Sequence, residues 1–120
     1  MKRFLTGTLA GIVISALALA AQQMASDKVI QPALVFENQK VKVIRILLKP
    51  GEGTPLHTHA LDHIAVIMQG TTMKDVETDG KFKSVDQKTG EVHYVPGTGR
   101  THSFANTGTS ALEIVSIELK

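Results

Sequence analysis

From residue 33 onward, polar and apolar positions follow the period of strands rather than of helices. Val41–Leu48 (V-K-V-I-R-I-L-L) opens in apolar–polar alternation and ends fully apolar, until Pro50-Gly51 breaks it. Alternation of period two marks a strand with one face buried. Ala33–Phe36 is a shorter apolar run before it, and His63–Met68 (H-I-A-V-I-M) reads as a buried strand after it. Gln69-Gly70 turns the chain into Thr71–Thr78. Asp79-Gly80 is a strong hairpin signal, with Lys81–Asp86 as its return. Thr89-Gly90 turns into Glu91–Val95. Thr101–Asn106 follows, then an Asn-Thr-Gly turn, and Ala111–Leu119 closes the chain. No amphipathic helix shows after the leader. Many short strands with regular turns predict an all-β sandwich or barrel.

The start of the chain has a different pattern. Lys2 and Arg3 precede the apolar run Leu9–Ala21, and Ala18-Leu19-Ala20 forms an A-x-A site. This is the pattern of a secretory signal peptide. We expect cleavage after Ala20, a flexible polar lead-in over residues 21–32, and a barrel domain over 33–120. The destination is then the periplasm or the exterior. The rival reading is an uncleaved membrane anchor, although the run is short of the roughly 20 apolar residues a bilayer needs.

Composition narrows the picture. The 120 residues suit one domain. Hydrophobic residues make up 42% and aromatics only 4%, so the core must come from Val, Ile and Leu. There is no cysteine, which excludes disulfides, thiolate ligands and a lipoprotein anchor. The net charge of +2 belongs to the leader: without Lys2 and Arg3 the basic count falls from 13 to 11 (13 − 2), equal to the 11 acidic residues. A near-neutral mature surface argues against nucleic acid as a partner. Contact with a membrane is expected only through the leader.

Candidate chemistry lies in the five histidines. His57, His59 and His63 fall within Gly51–Gly70, and His93 and His102 within Gly90–Asn106. Residues two apart on a strand share a face, so His57 and His59 can grip one ion. Imidazole is a common ligand for zinc, copper, iron and nickel. His63, four residues on, can return to the same point from the next strand.

The two stretches resemble the two motifs of the cupin superfamily. The first, G-x5-H-x-H-x3-E-x6-G, is matched by Gly51, His57, His59 and Gly70, with His63 in place of the glutamate. The second, G-x5-P-x-G-x2-H-x3-N, is matched by Gly90, Pro96, Gly99, His102 and Asn106, with one extra residue between Pro96 and Gly99. The resemblance implies a double-stranded β-helix, the jelly-roll barrel of cupins. It implies His57, His59, His63 and His102 as ligands of one divalent transition metal (Mn, Fe, Ni, Zn or Cu), and a homodimer formed through outer strands. It resembles the all-histidine variant of small bacterial cupins.

Four neutral imidazoles around M²⁺ leave a site charge of +2, where a glutamate would leave +1. Such a site attracts anionic ligands. Imidazole must be neutral to coordinate, so binding is expected to weaken below about pH 6. Around the ligands, Asp62 reads as a turn residue or an orienter of His63. Arg100 reads as an anion contact at the barrel mouth or a solvated side chain. His93 reads as exposed or as a hydrogen-bond partner to a ligand, and Met68 and Met73 as filler. Phe104 and Tyr94 read as barrel lining. Two functions fit. One is a metal-dependent enzyme acting on a small oxygen-bearing substrate, carboxylate or diketone-like, by dioxygenation, isomerisation or decarboxylation, the reactions that the resemblance implies. The other is a non-catalytic periplasmic module that holds a small ligand or a metal.

Overall fold

The computed structural model describes residues 25–120; the leader expected over 1–20 lies outside the described residues. Eleven strands form: β1 Lys28–Val29, β2 Ala33–Glu37, β3 Val41–Leu48, β4 Glu52–Gly53, β5 His57–His59, β6 His63–Gln69, β7 Thr72–Glu77, β8 Phe82–Asp86, β9 Val92–Val95, β10 Arg100–Asn106 and β11 Leu112–Leu119. Among the described residues there is no helix, and so none long and apolar enough to cross a membrane. Each run read as a strand forms one, within a residue or two at its ends.

The strands make two sheets. One runs β1-β4-β10-β7-β8, with β5 also on β10; the other runs β2-β3-β11-β6-β9. Every pairing is antiparallel except the short β1–β4 contact. The alternation decides which side chains meet between the sheets. From one come Met73 and Phe104; from the other come Ile46, Leu48, Ile67, Leu112 and Ile114, all buried. Leu48 and Leu112, directly opposite on β3 and β11, are fully buried. This apolar cluster packs between the sheets, and several of its members line one cavity together with the histidines. Two packed sheets of this kind are consistent with the expected double-stranded β-helix.

The sheets are tied together by Asn106. Its amide donates to the Leu48 carbonyl at 3.0 Å and to the Ser110 carbonyl at 2.8 Å, and its Oδ1 accepts from the Gly108 N–H at 2.9 Å. At Gly70 the chain passes so close to the Gln87 backbone that an added Cβ would fall on its carbonyl.

Residues 25–32 fall in the stretch read from composition as a flexible lead-in, yet they are held. Ala25 is buried and its N–H donates to Ser103 Oγ at 3.0 Å, while β1 pairs with β4 and Ile30 N–H donates to Gly53 O. Polar composition hid this because backbone pairing needs no apolar side chains.

The strand β2 departs from expectation in another way. It is apolar, yet Leu34, Val35 and Phe36 are 60%, 60% and 52% exposed. It is the edge of its sheet and leaves one row of backbone groups unpaired.

Candidate metal centre

The site begins with a break in the ladder. Along β10, β4 pairs at Gly53↔Ala105 and β5 at His57↔His102 and His59↔Arg100. Between them stands Pro55, which has no N–H to donate. Thr54 repairs the gap: its N–H donates to Phe104 O at 2.8 Å and its Oγ1 accepts from Phe104 N–H at 3.0 Å. The chain then resumes pairing with His57 and His59 on the face shared by His102, since opposed residues of an antiparallel pair point to the same side.

His57, His59 and His102 each present a ring nitrogen to one point, all within 4.8 Å of one another. His59 Nε2 lies 2.8 Å from His102 Nε2. Two nitrogens each about 2.0–2.1 Å from one ion, at roughly a right angle, lie about 3 Å apart, so this spacing suits a shared ion. On His57 and His102 the other nitrogen is already engaged. His57 Nδ1–H donates to Pro55 O at 2.8 Å, and His102 Nδ1–H donates to Asp75 Oδ1 at 2.7 Å. These bonds fix the tautomer and leave each Nε2 as a lone-pair donor. The donor set therefore fits a divalent transition metal.

His63, on β6 of the opposite sheet, stacks on His59 with centroids 4.4 Å apart and planes 21° apart. It lies outside the tight set of three. Its Nδ1 is buried without a well-formed hydrogen bond, and the Leu61 backbone lies near enough to act on the ring as a partner. The structure thus brings three of the four expected ligands to one focus and places the fourth ring against them.

Burial and crowding favour the neutral form of His57, His59 and His63. Burial is the main cause that lowers His57 and His63 from the ordinary imidazole range. His59 falls to about 4, first through burial and then through the neighbouring histidines. At His59, protons therefore compete for the ring nitrogen at a lower pH than an ordinary imidazole would allow.

One functional residue was missed from sequence. Asp75, on β7 with a side chain 8% exposed, accepts from His102 Nδ1–H and from Arg100 at 3.1 Å. Burial opposes its ionisation, but His102 and Arg100 outweigh burial and hold it below the usual carboxylate range. Arg100 also pairs with Glu77 and is held charged above its ordinary range. It lines the cavity with its guanidinium engaged by two carboxylates and its side chain still 36% exposed. Asp75 also returns a negative charge to the site, one hydrogen bond behind His102. The signal was Met73-x-Asp75-x-Glu77, an alternation that places acids on an inward face, but only the β7–β10 register reveals whom they meet.

Above the apolar cluster lies a cavity of about 730 Å³, walled by Ile44, Ile46, Ala65, Ile67, Met73 and Phe104 and capped by the histidines. Phe104 lines it as expected, and Met73, read from sequence only as filler, lines it too. Tyr94 does not: it is 60% exposed and its hydroxyl donates to Asp62. Residues 91, 93 and 95 face inward instead, which leaves 92 and 94 outside. His93 sits at the rim, 3.0 Å from Glu91. Asp62 is a turn residue, accepting from Gly97 N–H at 2.8 Å, so it pins the loop before β10 and does not orient His63.

A model of the cupin domain matches residues 44–118, which span both histidine stretches. No curated protein matches the chain. Among solved structures, a cupin domain from Bordetella pertussis Tohama I is 26% identical, with a TM-score of 0.70 over 81% of this chain and 98% of that one. An uncharacterised conserved protein with a double-stranded β-helix domain from Klebsiella pneumoniae is 18% identical, with a TM-score of 0.60 over 84% and 85%. An RmlC-like cupin from Methanocaldococcus jannaschii is 21% identical, with a TM-score of 0.58 over 73% and 77%. The histidine spacing, the two-sheet barrel and the domain match agree, and the chain belongs to the cupin family.

Proposed function

We propose that this cupin is exported and holds one divalent transition metal on His57, His59, His63 and His102, as a metal-dependent enzyme acting on a small oxygen-bearing substrate. The observation that carries this reading is the convergence of three imidazole nitrogens at the head of a large, mostly apolar cavity. An ion bound there supplies Lewis acidity or redox chemistry. The protein's own part is to bind and orient. The apolar wall excludes water from the body of a substrate, while the neutral rings leave room for an anionic end. A carboxylate or diketone-like molecule fits both conditions, and a dioxygenase is the reaction class we favour.

Export is supported by the leader, and a homodimer by the exposed apolar edge β2. The second functional reading, a non-catalytic ligand- or metal-binding module, is favoured by one observation. Asp75, Glu77 and Arg100 are engaged with one another and with His102, which leaves none of them free to exchange a proton with a substrate.

The test is metal content of the exported protein by mass spectrometry, beside His102→Ala and His63→Ala. We expect about one ion per chain in the wild type, near-complete loss in His102→Ala and a marked reduction in His63→Ala. Chelator-sensitive oxygen uptake with small carboxylates or diketones then supports the enzyme; tight ligand binding without product supports the module. A folded wild type that takes up no added metal overturns the reading.

A further inference from the structure

The position that would carry a ligand carboxylate carries His63 instead, yet a buried carboxylate stands beside the site. We propose that Asp75 is a positioning residue: it fixes His102 as the Nδ1–H tautomer and so presents the Nε2 lone pair to the point shared with His57 and His59. The inference rests on the metal reading above and adds how this chain prepares one ligand for it.

Asp75 lies directly opposite Phe104 on the β7–β10 ladder, one step along the same face from His102. Its Oδ1 is 2.7 Å from His102 Nδ1 and 3.1 Å from the Arg100 guanidinium. An ionised carboxylate only accepts hydrogen bonds, so the nitrogen facing it must carry the proton. The lone pair then sits on Nε2, which faces His59 Nε2 at 2.8 Å.

The carboxylate is itself held. Arg100 spans Asp75 and Glu77, with Nε donating to Glu77 Oε1 at 3.0 Å. Arg100 and Glu77 lie opposite His59 and His102 respectively, so the clamp belongs to the same strands that carry the ligands. A buried carboxylate is costly unless its partners satisfy it. Here both partners are present, and the one aimed at the site is a ligand ring. A carboxylate bonded to the far nitrogen of a ligand histidine orients the ring and raises its basicity; removing it typically lowers metal affinity 10–100-fold. The charge absent from the ligand set is supplied through His102.

The test has two readouts. The first is the tautomer of His102 in metal-free wild-type protein, from long-range ¹H–¹⁵N correlation spectra near pH 7.5. The expected result is a protonated Nδ1 and a bare Nε2; a predominantly Nε2–H ring overturns the proposal. The second is zinc affinity by chelator competition. Asp75→Ala should lose about 10–100-fold. Asp75→Asn, which keeps an acceptor oxygen, should fall between that and the wild type. Glu113→Gln, a carboxylate paired with Arg45 away from the cavity, should stay within about 3-fold on the same scale. Asp75→Ala binding zinc as tightly as wild type overturns the proposal. If Asp75→Ala does not fold, the wild-type tautomer decides. If the folded wild type binds no zinc, it is the metal reading that falls, and the His102 tautomer still decides the role of Asp75.

Discussion

Replacing Asn106 by alanine removes three hydrogen bonds at once: two donated by its amide to Leu48 O and Ser110 O, and one accepted from Gly108 N–H. Each is worth about 1 kcal/mol net, so the bonds alone give about 3 kcal/mol. The orphaned partners differ. Ser110 is exposed and Gly108 partly so, and both can turn to water. Leu48 is fully buried, so its carbonyl keeps no alternative partner for the lost bond. That adds about 1–2 kcal/mol, for a total near 4–5 kcal/mol. For a domain of this size such a loss lowers the melting midpoint by roughly 15–30 °C. Urea unfolding followed by circular dichroism measures it. Asn106→Asp sharpens the test, because it keeps the shape and the acceptor but loses both donors. Its carboxylate would face two carbonyl oxygens, which raises its folded pKa. The linked stability is therefore present at low pH and lost as pH rises, so this variant should be more stable at pH 4 than at pH 7 relative to wild type. A loss below 1 kcal/mol in Asn106→Ala would refute the claim that this side chain ties the sheets.

Other consequences can be measured directly. His59, held near 4 against an ordinary 6.5, stays neutral in the folded state. Stability is therefore full above pH 6.5 and is lost as pH falls towards 4, by about 1–2 kcal/mol once solvent screening of this half-buried ring is allowed for. A metal-free protein whose denaturation midpoint is flat over that range would contradict the shift. Gly70→Ala should cost about 1–3 kcal/mol or more, because its Cβ meets backbone at Gln87 rather than a mobile side chain; an unchanged melting point would show that the chain yields there. Phe36→Glu on β2 should convert the proposed dimer to monomer by light scattering, and a monomeric wild type would remove the dimer reading.

Most strands were legible because they alternate or end at Gly, Pro or Asn turns. Val41–Leu48 and Ala111–Leu119 show this best, and they pair with each other along their whole length. His57, His59 and His102 were legible because the ligand spacing is local within each stretch. Asp75 was not, since nothing near it in sequence distinguishes it from Glu77 or Asp79. Its role exists only through a pairing 27 residues away. Tyr94 was misread for a related reason. Alternation gives the period of β9 but not its phase, and a single strand cannot say which of its faces meets the barrel. β1 and β4 are two residues each, too short to carry any period.

β5 is three residues long and joins its sheet only through β10. So short a strand, held on one side, has little of its own to keep it in place. His59 and His102 nevertheless meet across that seam from positions 43 residues apart. A chain emerging from its N-terminus therefore carries His57 and His59 long before it can complete the trio, and ion capture must wait until β10 has docked. Once held, an ion at 100 times its dissociation constant adds about 2.7 kcal/mol against any route that opens the seam. With an ion in place, this short rung of the barrel would become a clasp between two distant parts of the chain.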